Sequence, residues 1–211
     1  MARAASPKKS AVQVPEWQNY PEVALHPILA AALGEFQQHG YHGTTVRGIA
    51  TRTGVTMPSL YYHYGSKEGI LFALLDIALD DWEAHVALCL RAAENTAQRF
   101  ENFIMSVALH YTYRRDLAML HHESRFLKAD FRGRYLARRR LVDQTLEDLL
   151  KAGIAEGVFE DDDPHFTTRV LLGMLGGILD WYRPDGPLTP AEIGERYTHD
   201  AVRMVSRSSR A

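Results

Sequence analysis

Three helix-starting residues crowd into the stretch from Thr44 to Glu68, and their spacing permits little besides two short helices joined by a tight turn and followed at once by a third. Thr45 suits a helix N-cap, and Val46, Ile49 and Ala50 recur at i, i+3 and i+4, which gives the first helix one apolar face. Gly54 ends that helix. Val55 is placed to plug the turn, Thr56 caps again, and Pro58 lies in the first turn of the second helix, where a missing backbone donor costs little. The second helix packs through Leu60 and Tyr64 and leaves Thr56, Met57, Ser59, Tyr61, Tyr62 and His63 largely outward. Ser66 caps the third.

An outward face of small, polar and aromatic side chains on a short second helix suits the groove of a duplex. In helix-turn-helix modules the N-terminal residues of the second helix meet base edges, while hydroxyls, cations and helix N-termini bind phosphates and set the register. Lys67 stands at the positive end of the third helix, where its charge is unfavourable unless an anion is near; a phosphate supplies one. One recognition helix covers few base pairs. Two copies on half-sites about 34–36 Å apart gain affinity and specificity, so the expectation is a homodimer on near-palindromic double-stranded DNA.

Residues 25–75 resemble the N-terminal domain of the TetR family of transcriptional repressors, whose pattern runs G-x-x-x-T-T-x-x-x-I-A, then G-V, then L-Y-Y-H-F-x-S-K-E. Gly40, Thr44-Thr45, Ile49-Ala50, Gly54-Val55 and Leu60 through Lys67-Glu68 stand at that spacing. Tyr64 replaces the usual phenylalanine, and Met57-Pro58 occupies positions that often carry lysine and glycine. On this resemblance Thr44, Thr45, Tyr61, Tyr62, His63 and Lys67 mainly hold phosphates, and Arg47, Thr56, Met57, Pro58 and Ser59 are the candidates for base contacts. The family pairs its subunits through the last two long helices, which implies an interface at Gly173, Gly176, Gly177, Ile193, Tyr197 and Ala201.

The rest of the chain reads as helix throughout. Residues 1–22 are rich in Ala, Ser, Lys and Pro without a period and are expected to form a mobile arm. Residues 23–68 form the DNA-binding domain, opened by a helix through Leu25, Ile28, Leu29, Ala32 and Phe36 that has Pro27 in its first turn and Gly40 after its end. Residues 69–211 form a ligand-binding and dimerisation domain. One long helix leads into it from Lys67 through Trp82 to Val86, and Phe100 to Tyr111, Leu136 to Ala155, Val170 to Tyr182 and Ile193 to Met204 carry further stripes. Asp163 and Pro164 read as a cap and a first helical residue. The predicted fold class is all-α, with a three-helix DNA-binding domain and a larger helical domain behind it.

Composition excludes more than it assigns. The 211 residues carry a net charge of −2 and 46% apolar residues, so nothing suggests a nonspecific nucleic-acid binder. The longest apolar run, Val170 to Leu179, is too short for a bilayer, which takes roughly 20 residues. No apolar segment follows Arg3, Lys8 and Lys9 to make a secretory leader, and a lone Cys89 suits the cytoplasm. Catalytic and phosphate-loop motifs are missing, so neither enzymatic activity nor a cofactor is expected. His121-His122-Glu123 imitates a metal cluster, but adjacent helical residues point about 100° apart, so no metal site is expected.

Two features leave alternatives open. Residues 114–140 hold nine Lys/Arg against three Asp/Glu, which is either a set of solvated helix faces or a seat for an anionic ligand. Trp82, Phe103, Val107, Tyr111, Phe126 and Trp181, with Arg125, are either plain core or the lining of a pocket. The segment from Gly176 to Gly186, followed by Thr189-Pro190-Ala191-Glu192-Ile193, resembles a TetR branch associated with fatty-acid or sterol breakdown, several of whose members sense CoA thioesters. That resemblance implies a small-molecule effector, an acyl-CoA among the candidates, that releases a repressor from its operator. The competing class is a helical ligand-binding protein or enzyme with a vestigial DNA domain; the intact Tyr61, Tyr62, His63 and Lys67 argue against it.

Overall fold

A computed structural model describes residues 14–206, and among these every regular element is helical. Helices α1 (Pro27–Gly43), α2 (Val46–Thr53) and α3 (Met57–Tyr64) form the unit in which DNA binding is expected, called the DNA-binding unit below. The long α4 (Lys67–Arg91) leaves it. Then follow α5 (Thr96–Tyr113), α6 (Arg115–Met119), a 3-10 segment (Leu120–Phe126), α7 (Ala129–Ala155), α8 (Pro164–Gly176), α9 (Ile178–Trp181) and α10 (Pro190–Val205). None is long and apolar enough to cross a membrane.

Local signals act where the sequence places them. Thr45, Thr56 and Ser66 each accept a backbone N–H as N-caps of α2, α3 and α4, and Gly54 closes α2 in the left-handed conformation at φ 69°. Gly40 breaks the end of α1 with φ 62°. Asp163 caps α8, and Thr189 with Glu192 forms a complete capping box on α10.

Two cores share α4. Its first half, through Leu71, Leu74, Leu75 and Leu79, packs with Ile28, Phe36, Ile49 and Leu60 of the DNA-binding unit. Its second half, through Trp82 and Val86, joins Phe100, Phe103, Leu146, Leu171, Ile193 and Ala201. Helix α5 lies against α4, α7, α8 and α10, so it forms the axis of the larger domain.

Two sequence expectations need correction. Residues 1–13 of the expected arm lie outside the described residues, but from Val14 to Pro21 the chain is docked on α4 and α5 through a 3-10 turn at Glu16–Gln18. Trp17 is buried there against Cys89 and Leu109, which aperiodic composition could not reveal. Ile193 and Ala201, expected at a dimer interface, are 1% and 0% exposed inside the chain's own core. They hold α10 onto α5 and cannot meet a second subunit.

The turn after α7 shows how tightly the larger core is closed. Gly157, at φ 71°, reverses the chain; the backbone N–H groups of Val158 and Phe159 both donate to the Gly153 carbonyl, and the Phe159 ring folds back over Gly153. A methyl group at Gly153 overlaps that ring. Gly153→Ala is expected to lower stability by about 1–3 kcal/mol despite the better helix propensity of alanine, as measured by thermal or urea unfolding; an unchanged midpoint refutes the packing.

Candidate nucleic-acid interface and effector cavity

The outer face of α3 is built by what its inner face buries. Leu60 is 1% exposed, and Tyr64 is half-buried with its phenol pKa pushed up by burial. Rotation around the helix then leaves Thr56, Pro58, Tyr61, Tyr62 and His63 exposed, with Tyr62 at 86% standing furthest out and His63 edge-on to it. Met57 and Ser59 are half-buried, and Met57 packs partly against the core. Thr45 and Arg47 are exposed at the start of α2. The Thr45 and Thr56 oxygens accept the capping bonds from Gly48 and Ser59, so each hydroxyl proton remains free to donate outward.

Thr44 and Lys67 differ from the sequence reading. Thr44 is 1% exposed and its hydroxyl donates to the Gly40 carbonyl, so it closes α1 and offers no surface to a phosphate. The Lys67 ammonium donates to the carbonyls of Tyr41 and Thr44 at 2.6 and 2.8 Å and lies 4.3 Å from the centre of the Tyr41 ring. Burial lowers its pKa. Two of its three donors therefore clamp the turn between α1 and α2 to the start of α4.

That turn also touches the 3-10 segment of the larger domain. The Tyr41 N–H donates to Glu123 Oε2 at 3.2 Å, and Phe126 stacks on Tyr41 with an interplanar angle of 12° and meets His42 edge-on. Phe126 and the Arg125 lying over it belong to this junction rather than to a pocket, and Glu123 is occupied away from His121 and His122.

The cavity lies one turn further back in the chain. Leu75, Ala78, Leu79 and Trp82 of α4, Val107, His110 and Tyr111 of α5, Leu117 and Ala118 of α6, His121, Tyr135, Arg139 and Val142, and Leu179 of α9 surround it. Its walls enclose about 520 Å³, mouth included, of which about 60 Å³ is free to the centre of a water molecule. It is narrow and largely apolar, with a few polar groups, as ligand pockets generally are. Trp82, Val107 and Tyr111 line it as expected. Phe103 does not: it is wholly buried behind Trp82, edge-on at 6.1 Å. Trp181 is 45% exposed on the surface, stacked on Tyr197 and donating to its hydroxyl. His110 was readable from its place on the Phe103–Val107 stripe; Tyr135 and Arg139 needed the packing of α7 on α4.

The basic segment is largely neutralised. Arg138 bridges Asp76, Asp80 and Glu83 of α4, Arg114 pairs with Asp81, and Arg139 reaches Asp143. Arg134 covers the Phe72 ring, and Lys128 pairs with the buried Glu68. Arg139 alone among these basic residues borders the cavity.

Comparison with known proteins settles the class. A family model for bacterial regulatory proteins of the tetR family matches residues 28–74, and one for the tetracyclin repressor-like C-terminal domain matches residues 93–205. The chain belongs to the TetR family. It is 31% identical over 173 residues to the HTH-type transcriptional repressor KstR2 of Mycobacterium tuberculosis, covering 81% of this chain and 86% of that protein. The structure of that organism's ketosteroid transcriptional regulator KstR2 superposes with a TM-score of 0.77 at 26% identity, over 86% of this chain and 94% of the other. AibR, solved with isovaleryl coenzyme A and operator DNA, gives a TM-score of 0.73 at 27% identity, over 85% of this chain and 96% of that one. This TetR-family chain is accordingly a DNA-binding transcription regulator and not an enzyme.

Two histidines make the cavity pH-sensitive. Burial, reinforced by the Arg114 charge and opposed by Asp81, holds His110 down to about 3; burial and Arg139 hold His121, which shares a 2.6 Å hydrogen bond with the Tyr135 hydroxyl, down to about 4. Both are neutral in the fold at pH 7, whereas an unfolded chain protonates its histidines near pH 6.5, so the stability they permit is complete above about 6.5 and is lost as pH falls. The thermal midpoint is expected to hold between pH 8 and 7 and to fall between 6.5 and 5. Replacing both by asparagine flattens that fall; a level wild-type profile contradicts the assignment.

Proposed function

We propose that two copies of the chain bind a near-palindromic operator in the cytoplasm and act as a repressor, and that a small apolar or acyl-CoA-type effector entering the cavity releases them. The observation that carries this reading is continuity. The helix-and-turn segment that lines the cavity through Leu117, Ala118 and His121 also holds Tyr41 through Glu123 and Phe126, and Tyr41 leads directly into Thr45 and α2.

What α8 to α10 leave uncovered supports the dimer. Phe166 is 62% exposed and Val170 38%; they recur with Gly173 on one face of α8, and nothing lies within 4 Å of an added Cβ at Gly173 or Gly176. Trp181, Met204 and the half-buried Tyr197 extend the apolar surface, which a second copy would cover. Gly173, Gly176 and Tyr197 keep their proposed interface role, with Gly177 beside them at the break between α8 and α9.

On DNA, Thr45, Tyr61, Tyr62 and His63 serve phosphates, with the remaining donor of Lys67, while Arg47, Thr56, Met57, Pro58 and Ser59 face the bases. An effector shifts the equilibrium only by binding the released arrangement better, and by the same factor as operator affinity falls. Arg139, paired with the exposed Asp143 but bordering the cavity as Arg114 and Arg138 do not, is the cation placed to meet an anionic or carbonyl group there.

Two measurements test these assignments. On a genomic fragment captured by the wild-type protein and sequenced, Lys67→Met is expected to weaken all sequences alike, reduce the salt slope by about 1 and lower the melting temperature, while Ser59→Ala changes base preference and leaves the slope alone. Equal slope changes from both refute the division. Octanoyl-CoA at a hundredfold excess over its Kd is expected to raise the melting temperature by on the order of 5–10 °C and to release the fragment. Leu79→Trp, which fills the cavity, should abolish both effects. No stabilisation by CoA thioesters of any chain length sinks the acyl-CoA reading.

A further inference from the structure

The segment from Val14 to Pro21 precedes the DNA-binding unit in sequence yet is bound to the far domain by more than apolar contact. Trp17 is buried between α4 and α5. Tyr20 stacks on His85 at 4.0 Å with an interplanar angle of 8° and on Tyr113 at 5.1 Å, and its hydroxyl donates to the Ser106 carbonyl. The carbonyl of Asn19 lies 3.2 Å from His85 Nε2, and Arg114 Nη2 donates to the carbonyl of Pro21 at 2.6 Å. Val23 and Leu25, next in the chain, pack into the core of the DNA-binding unit just ahead of α1.

Two of the three polar holds on this strap lead to Asp81, the Pro21 carbonyl through Arg114 and the Asn19 carbonyl through His85, whose Nδ1 lies 2.8 Å from the Asp81 backbone carbonyl. Asp81 takes the Arg114 fork through both oxygens, at 3.0 and 3.3 Å, and lies 3.8 Å from His85 Nδ1. Its remaining neighbour is His110, one helical turn before Arg114, whose Nδ1 is 3.7 Å away, fully buried and without a hydrogen bond. His110 lines the cavity. Asp81 is thus shared between a strap-holding arginine and a cavity residue whose hydrogen bond is unmade.

The geometry points to a regulatory strap: residues Val14–Pro21, latched by Arg114 to Asp81, hold α1 in the DNA-binding arrangement, and an occupant of the cavity loosens them by drawing Asp81 toward His110. The inference rests on the cavity being the effector site. A move of under 1 Å brings Nδ1 within hydrogen-bond reach of Asp81, and an occupant that engages the other ring nitrogen decides whether Nδ1 carries the proton it donates. Arg114 then shares its carboxylate, its hold on the Pro21 carbonyl and its place 5.3 Å from the centre of the Tyr20 ring are loosened, and the strap becomes the two-state element that both sites bias.

The test uses full-length Tyr20→Ala, Tyr20→Phe and Arg114→Lys on the fragment captured by the wild type. Tyr20→Ala and Arg114→Lys are expected to weaken operator binding at least about fivefold with an unchanged salt slope, and to raise octanoyl-CoA affinity. Tyr20→Phe, which keeps the stack on His85, should stay within about twofold. In the wild type, octanoyl-CoA should speed hydrogen exchange at residues 15–21. Unaltered operator affinity in both weakening variants overturns the proposal, as does a reduced salt slope, which would place the strap on the DNA itself. If Tyr20→Ala fails to fold, Arg114→Lys decides. If octanoyl-CoA fails to bind the wild type, the cavity reading falls, while the ligand-free operator affinities still judge the strap.

Discussion

Helix α4 is the element on which both halves of the molecule depend, and it is held by charge as well as by packing. At 1.5 Å per residue its 25 residues span roughly 37 Å, with the apolar side divided between two cores. Its outer side carries Asp76, Asp80 and Glu83 one turn apart, a set of like charges that disfavours the helix by itself. Arg138 of α7 reaches all three. An exposed pair of this kind contributes little, but a single guanidinium meeting three carboxylates removes their mutual repulsion and fixes α7 against α4 in register. Asp81, on a more enclosed side, makes the matching connection to α5 through Arg114.

The same pairing explains the basic segment that stood out in the sequence. A run of arginines in a chain of net charge −2 reads as a ligand seat when considered alone. The partners of Arg114 and Arg138 lie 33 to 62 residues earlier in the chain, on a helix whose scattered acidic residues attract no notice. Pairing across that distance is a tertiary property, and local spacing carries no record of it.

Local signals in the chain are legible for a physical reason. Caps, glycine stops and prolines in first turns act within three or four residues, so Thr45, Gly54, Thr56, Ser66 and Asp163 declare the helices unaided. The exposed face of α3 follows from its buried face by simple rotation. The cavity does not, because it is bounded by five helices and a 3-10 segment whose mutual angles no periodicity states: Phe103 and Tyr111 lie on one stripe of α5, and only the second reaches open space. Ile193 and Ala201 failed in the opposite sense. An apolar stripe shows that a helix is covered without showing whether its own chain or a second one covers it. The strap failed for want of period, since Trp17 and Tyr20 anchor it with two rings and a few carbonyls.

These unequal attachments determine which wall an occupant of the cavity must move. Only about 60 Å³ is free to water-sized atoms, so any acyl chain has to separate its walls. The α4–α7 side is tied by Arg138 and by the packing of Leu146, Leu149 and Leu150, and α5 lies at the centre of the larger core. Leu179 of α9 follows Ile178, which is fixed in the larger core, and the last wall is α6, five residues long, continued by a 3-10 segment whose hydrogen bonds are poorer than those of an α-helix. Displacement therefore falls on the stretch from Leu117 to Phe126, and that stretch ends on Tyr41. Because Lys67 clamps the Tyr41 and Thr44 carbonyls to α4, this turn is not a flexible loop that could absorb such motion; under the proposed function the motion passes to α2, whose exposed Arg47 lies beside the outer face of α3.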